Sequence, residues 1–296
     1  MKDVKKIFSA FNALNIREIF TDDLIRKAIY NNVWFTEDII AEAIKNLESF
    51  IRRLSQTDIH SACCHTVAVV MNGTTPLEGL YDFLLILVSG NKFVGKLSPD
   101  DNILVPAFVE ALISAEPEIA SEISFVNGPF GKYDAIILSG NGQNCAVLEN
   151  YLAGKPHLIH VEDDGIQYLK GDETEDELEE IAKKCFVNFG RGDGSVRNLF
   201  VPQGYDFKPL LSAFAKWEHI RHHARYFNNY EYWKSACIIG KTPCIDNGFV
   251  ILRKSDDYNP HVAEIFYHEY ESLSEIMTNF QKKDMTGETM EFLKNL

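Results

Sequence analysis

The chain has 296 residues, 46% of them apolar and 24% charged, with a formal net charge of −14. That is enough for a full core and two domains, one of them built from non-adjacent segments; no apolar run approaches the ~20 residues of a membrane span, and the negative charge repels nucleic acid and anionic membranes while leaving room for a local basic pocket around a phosphate-bearing cofactor. The start, MKDVKKIFSAF, lacks an apolar signal core, and Cys63, Cys64, Cys145, Cys185, Cys237 and Cys244 form neither a CxxC pair nor a zinc spacing, so reduced thiols and a cytoplasmic location are expected.

In chain order, apolar residues from 15 to about 54 recur at helical spacing, interrupted at Asn31-Asn32-Val33-Trp34, and Thr36 before Glu37 and Asp38 predicts an N-cap. This is a helical N-terminal layer. The character changes at Thr66, where the continuous run VAVVM predicts a buried strand entering the loop NGTTP at 72–76. Further helices are predicted at 77–88 and 102–115, and strands at 92–97, 124–126 and 134–138. Strands alternating with helices predict a parallel sheet with right-handed crossovers, and ligands of such sheets bind beyond the carboxyl ends of the strands. The candidate ligand loops are therefore 72–76, 96–101 and 139–144.

Beyond an acidic turn at 162–164, a helix is predicted at 174–186, with Leu178, Ile181, Ala182, Cys185 and Phe189 on one stripe, so Cys185 reads as a small core residue. The stretch CFVNFGRGDGSVRNLFVPQGYDF, residues 185–207, follows as helix end, glycine loop and strand. A dinucleotide fingerprint is excluded there, because Ser195 stands at the third glycine and a strand follows instead of a helix. A tight turn and a ligand loop both remain open readings. A helix is expected at 207–232, strands at 237–239, 249–252 and 262–270, and a closing helix at 287–296. Glu218, His219, His222 and His223 lie close together without an HExxH pattern or a distant partner, and no metal is expected.

Several segments together resemble one family. They are Asn32-Val33-Trp34-Phe35-Thr36, Leu80-Tyr81-Asp82-Phe83-Leu84, Ser89-Gly90-Asn91-Lys92 through Lys96-Leu97-Ser98, Tyr133-Asp134-Ala135-Ile136, the run from Leu199 to Phe207, His222-His223, Asn228-Asn229-Tyr230 and Asp246-Asn247-Gly248-Phe249. They are similar to the acyl-CoA reductases related to the fatty-acyl reductase of bacterial luminescence, in their shorter anaerobe-type branch, and more remotely to aldehyde dehydrogenases. The resemblance implies an aldehyde-dehydrogenase-like α/β fold: a helical layer at 1–65, a Rossmann-type nucleotide-binding domain at 66–170, a catalytic-type α/β domain at 171–280 and a closing helix at 281–296. It also implies NADPH or NADH as cofactor and acyl-CoA or coenzyme A as substrate, with a homo-oligomer or a partner subunit. By the match, Lys96 and Ser98 approach the cofactor's ribose or phosphate, and Ser139, Gly140 and Asn141 its pyrophosphate or nicotinamide side.

Such enzymes pass the acyl group from coenzyme A to a cysteine, and the thioester then accepts hydride to release an aldehyde. The family writes FGxGC around that cysteine, whereas this chain reads Phe189-Gly190-Arg191-Gly192-Asp193, with Asp193 in the nucleophile's place. Where the family offers an oxyanion-binding asparagine in GN-x-P, the chain reads Gly73-Thr74-Thr75-Pro76, with Thr74 at the donor position. A carboxylate is a poor nucleophile towards a thioester and would give a mixed anhydride that water destroys. An inactive or altered reductase is therefore expected, or else a non-catalytic paralogue that binds nucleotide or a partner.

Overall fold

The computed structural model describes residues 4–54, 64–140, 142–161, 165–272 and 284–296. The chain divides into two compact units, one comprising Met1–Glu162 with Asp284–Leu296 and the other Asp163–Lys283.

The first unit opens with helices α1 (Val4–Ala13), α2 (Ile16–Ile19), α3 (Asp22–Asn31) and α4 (Glu37–Leu54). The Thr36 hydroxyl caps α4 by accepting from the Ile39 amide at 3.3 Å, and Glu37 and Asp38 sit at the positive end of its dipole. Ile40, Ile44, Leu47, Ile51 and Leu54 recur at helical spacing on its buried stripe. Then come β1 (Thr66–Val70), α5 (Leu80–Val88), β2 (Lys92–Lys96), α6 (Leu104–Ala115), β3 (Ile123–Phe125), β4 (Ala135–Gly140), α7 (Gly142–Leu152) and β5 (His157–Val161). The sheet order is β3-β2-β1-β4-β5, and every pairing is parallel.

Both faces of this sheet are covered, which is why its strands read as apolar runs and not as alternating ones. Val67, Val69, Ala135 and Ile137 join the N-terminal helices, α5 and α6 in one large core, while Ala68, Ile136, Leu138 and Leu152 form a smaller core on the other face. Helix α5 is buried along nearly its whole surface, as its composition LYDFLLILV requires. The C-terminal helix Met285–Lys294 returns to this unit, and its Leu293 is fully buried in the large core.

The second unit contains β6 (Ile166–Tyr168), α8 (Glu175–Phe186), β7 (Asn198–Pro202), α9 (Lys208–Ala215), α10 (Ala224–Gly240), β8 (Ile245–Asp246), β9 (Ile251–Lys254) and β10 (Glu264–Tyr270). Its sheet runs β6-β7-β10-β9-β8, parallel except for the short edge strand β8. Thr174 and Glu177 make a reciprocal capping box at the start of α8.

Two local expectations fail here. The helix predicted across 207–232 breaks after Ala215 into a short 3₁₀ turn, Glu218–His222, before α10 begins. Residues 237–239, predicted as a strand, are the last turns of α10. The β-branched pair Ile238 and Ile239 is 68% and 83% exposed, so no sheet environment claims it. Tyr226, Tyr230 and Cys237, buried at i, i+4 and i+11, hold the segment to helical period until Lys241 ends it in the left-handed conformation.

Candidate active site

In the first sheet β1, β2 and β3 run to one side and β4 and β5 to the other, so the strand order reverses between β1 and β4. The carboxyl ends of those two strands flank the crevice where open sheets of this type bind ligands. Loop 71–79 leaves β1 at this point. Its shape comes from Asn72, whose side-chain oxygen accepts from the Gly73 and Thr74 amides at 2.8 and 3.2 Å and from the Thr74 hydroxyl at 3.0 Å. The Asn72 amide group donates to Glu78 at 2.8 Å, and the other Glu78 oxygen accepts from the Thr75 amide and hydroxyl at 3.0 and 2.9 Å. Thr74 is half-buried, and its hydroxyl proton is directed at Asn72.

A second side chain ties this loop to the one after β2. Asp101, 2% exposed, accepts from the Leu77 amide at 2.6 Å and the Leu104 amide at 3.3 Å, fixing Leu77 at a φ of 64°. Gly73 is required where the loops meet, since a Cβ there would lie 2.6 Å from the Ser98 hydroxyl oxygen and 2.7 Å from Ser98 Cβ. Ser98 is half-buried, and its oxygen also accepts from the Asp100 amide at 3.3 Å. Lys96 ends β2 with its side chain exposed.

At the end of β4, Ser139 is half-buried and Gly140 buried; a Cβ on Gly140 would lie 3.0 Å from Leu148 and 3.3 Å from the Cys145 sulfur. Helix α7 starts immediately afterwards with no acidic residue in its first turn. The positive end of a helix dipole favours an anion such as a pyrophosphate. The fold thus brings Thr74, Ser98, Lys96, Ser139 and Gly140 to one edge of one sheet. Asn141 lies outside the described residues.

The glycine loop belongs to the second unit. After α8, Phe189, Gly190, Gly192 and Gly194 take φ values of 58°, 69°, 79° and 76°. Asp193 is exposed between two of these glycines. Ser195 is 3% exposed and donates its hydroxyl to the Arg191 carbonyl at 2.6 Å, so it is a structural brace and not a free nucleophile. The chain then enters β7, where the Arg197 and Asn198 amides donate to the Gly165 carbonyl at 2.8 and 2.9 Å.

No protein-family model matches the sequence, and no curated protein is significantly similar to it. Solved structures are similar in shape over nearly the whole chain. An indole-3-acetaldehyde dehydrogenase complexed with NAD+ superposes with a TM-score of 0.70 at 11% identity, over 99% of this chain and 75% of its own. A gamma-glutamyl-gamma-aminobutyraldehyde dehydrogenase from Burkholderia cenocepacia J2315 gives 0.66 at 15% identity, over 98% and 74%. The aldehyde dehydrogenase KauB from Pseudomonas aeruginosa gives 0.65 at 12% identity, over 99% and 75%. The chain has the aldehyde dehydrogenase fold. At these identities the likeness speaks for the fold alone, and it agrees with the architecture implied by the sequence.

Within this fold Cys185 and His223 have structural tasks. Cys185 is 2% exposed, and burial pushes its thiol well above the ordinary range, the opposite of what a nucleophile needs. His223 caps α10 by accepting from the Tyr226 amide at 3.2 Å and lies against the Phe189 ring, centroids 4.4 Å apart. Among the described residues no His, Cys, Asp and Glu side chains gather in threes around a metal position. Asn72, Glu78 and Asp101, which shape the loops, carry no sequence signal beyond the Asn72-Gly73 turn pair.

Burial raises the carboxyl of Asp101 from 3.8 to about 6, against the opposing pull of the Leu77 and Leu104 amides. A carboxyl raised on folding holds its proton more tightly folded than unfolded. Its stabilising contribution is therefore complete below 3.8 and is lost as pH rises through about 6. This amounts to on the order of 2–3 kcal/mol. Urea midpoints of the wild type should fall between pH ~4 and ~7 relative to those of Asp101→Asn, which cannot titrate; parallel curves would contradict this.

Proposed function

We propose that the chain is a member of the acyl-CoA reductase branch of this fold that keeps an NAD(P)H site in its first unit and has lost or altered the acyl-transfer step. The observation that carries this reading is the exposed Asp193 at the position of the family's nucleophile, in a loop with no thiol between residues 187 and 198. The cofactor reading is supported by the β1/β4 switch point, by the acid-free start of α7 and by neighbours whose structures contain NAD+. Lys96 and Ser98 would hold the ribose or its phosphate, and Ser139, Gly140 and Asn141 the pyrophosphate side. Bound NAD(P)H would supply a hydride. Acyl-CoA or coenzyme A is the second ligand, in a cytoplasmic protein working as a homo-oligomer or beside a partner subunit.

A second reading, a purely non-catalytic nucleotide-binding or partner-binding paralogue, is favoured by the Thr74 hydroxyl, which points its proton at Asn72 and is thereby withdrawn from oxyanion duty. Incubating the wild type with a fatty acyl-CoA and NAD(P)H separates the two. Slow cofactor oxidation with aldehyde formation would favour altered chemistry, and none would favour the binding paralogue. Lys96→Ala should weaken nucleotide binding roughly tenfold, the loss of one charge-assisted contact worth about 1.4 kcal/mol. An unchanged affinity would remove Lys96 from the site.

A further inference from the structure

Far from the glycine loop in sequence, and used by none of the chemistry above, three elements of the first unit converge on a buried histidine. His160 lies on β5, two residues before the first segment of the unit ends at Glu162, and is 3% exposed. Its Nε2 is 3.3 Å from Asp82 Oδ1 on α5 and 3.1 Å from Thr289 Oγ1 on the C-terminal helix. Thr289 is completely buried and donates its hydroxyl to the same Asp82 oxygen at 2.8 Å. Across the ring, Nδ1 is 3.8 Å from Glu288 Oε2 on the C-terminal helix and has no hydrogen-bond partner among the described residues.

The tautomer follows from this arrangement. Because the Thr289 proton goes to Asp82, Oγ1 faces the ring as an acceptor, so Nε2 must carry hydrogen in either charge state. Nδ1 is then the nitrogen that titrates, and it faces a carboxylate. When neutral, Nδ1 is a buried acceptor confronting negative charge with no donor among the described residues; when protonated, it pairs with Glu288. The order hydroxyl, imidazole, carboxylate is that of a nucleophile relay, but a fully buried Thr289 admits no substrate. The cluster joins the strand by which the chain leaves this unit to the helix on which it returns.

We propose that Asp82, His160, Glu288 and Thr289 form a proton-operated clamp that fastens the C-terminal helix Met285–Lys294 to α5 and β5 when His160 is charged and loosens it when His160 is neutral. Among the described residues, Asp82 on α5 and Glu288 on the returning helix are the charged groups that face the ring. Burial opposes charging, and the hydrogen bond and charge of Asp82, with Glu288 behind them, outweigh it, so the ring titrates above its ordinary 6.5. A histidine raised on folding stabilises fully below 6.5, and the contribution disappears as pH climbs through the higher folded value.

Hydrogen exchange of the amides of the C-terminal helix, corrected for intrinsic rates and measured on the full chain from pH about 6 to about 9, tests this. The wild type should lose protection several-fold across the window while the α8 amides do not follow, and His160→Gln should be low and flat. Glu288→Gln, at a position 40% exposed and tolerant of change, should move the transition to lower pH. Protection in the wild type that ignores pH, a slope surviving in His160→Gln, or an unmoved transition in Glu288→Gln would each overturn the clamp. The last serves even if the histidine variant does not fold.

Discussion

Asp193→Cys should become acylated by a fatty acyl-CoA where the wild type does not, an all-or-none difference by intact mass. Asp193 is exposed and flanked by Gly192 and Gly194 at φ of 79° and 76°, so the loop carries its side chain without burying it. A thiol placed there meets the chemical requirement that a carboxylate fails: a thiolate attacks a thioester well near neutral pH, forming a new acyl–sulfur bond to the protein while the bond to coenzyme A breaks and coenzyme A thiolate leaves. Backbone N–H groups of a glycine-rich turn also favour the thiolate. Cys185 does not substitute for it, being buried with its thiol held in the neutral form. Acylation of the wild type would mean that another side chain is the nucleophile, with Cys145, half-buried beside Gly140, the first to mutate. Failure of Asp193→Cys to acylate would mean that this loop no longer receives the acyl group.

The largest effect on stability is expected from Gly165→Ala. Gly165 has a φ of 66°, and a Cβ there would lie 2.4 Å from the Ser195 carbonyl oxygen and 3.1 Å from the Arg197 amide nitrogen. Both obstacles are backbone and cannot swing aside. The left-handed conformation and the forced displacement together should cost roughly 3–5 kcal/mol. The site is a junction as well, since the Gly165 carbonyl accepts from the Arg197 and Asn198 amides and so holds the exit of the glycine loop against the start of β6. Urea unfolding should show the loss directly; a midpoint near that of the wild type would mean that the loop exit is not anchored there.

Much of the fold was legible because its signals are local. The apolar run VAVVM marked β1, Thr36 announced a helix start that the structure caps through its hydroxyl, and the glycines at 190, 192 and 194 take left-handed conformations. The glycine loop was readable as a feature, and the likeness in shape to aldehyde dehydrogenases agrees with the fold read from the quoted segments. What was not legible depends on tertiary context. Residues 237–239 look like a strand until buried Tyr226 and Tyr230 are seen to hold them in helical period. The Asp101 carboxylate serves an amide 24 positions away, and the histidine cluster joins residues 78 and 129 positions apart, so neither leaves a local pattern to recognise.

Titration calorimetry of the wild type with NADH and NADPH is the decisive test of the proposed cofactor site retained without its partner chemistry. Saturable binding of at least one of the two is expected, weakened in Lys96→Ala, in a protein that forms no acyl-enzyme. Binding of neither nucleotide would contradict it.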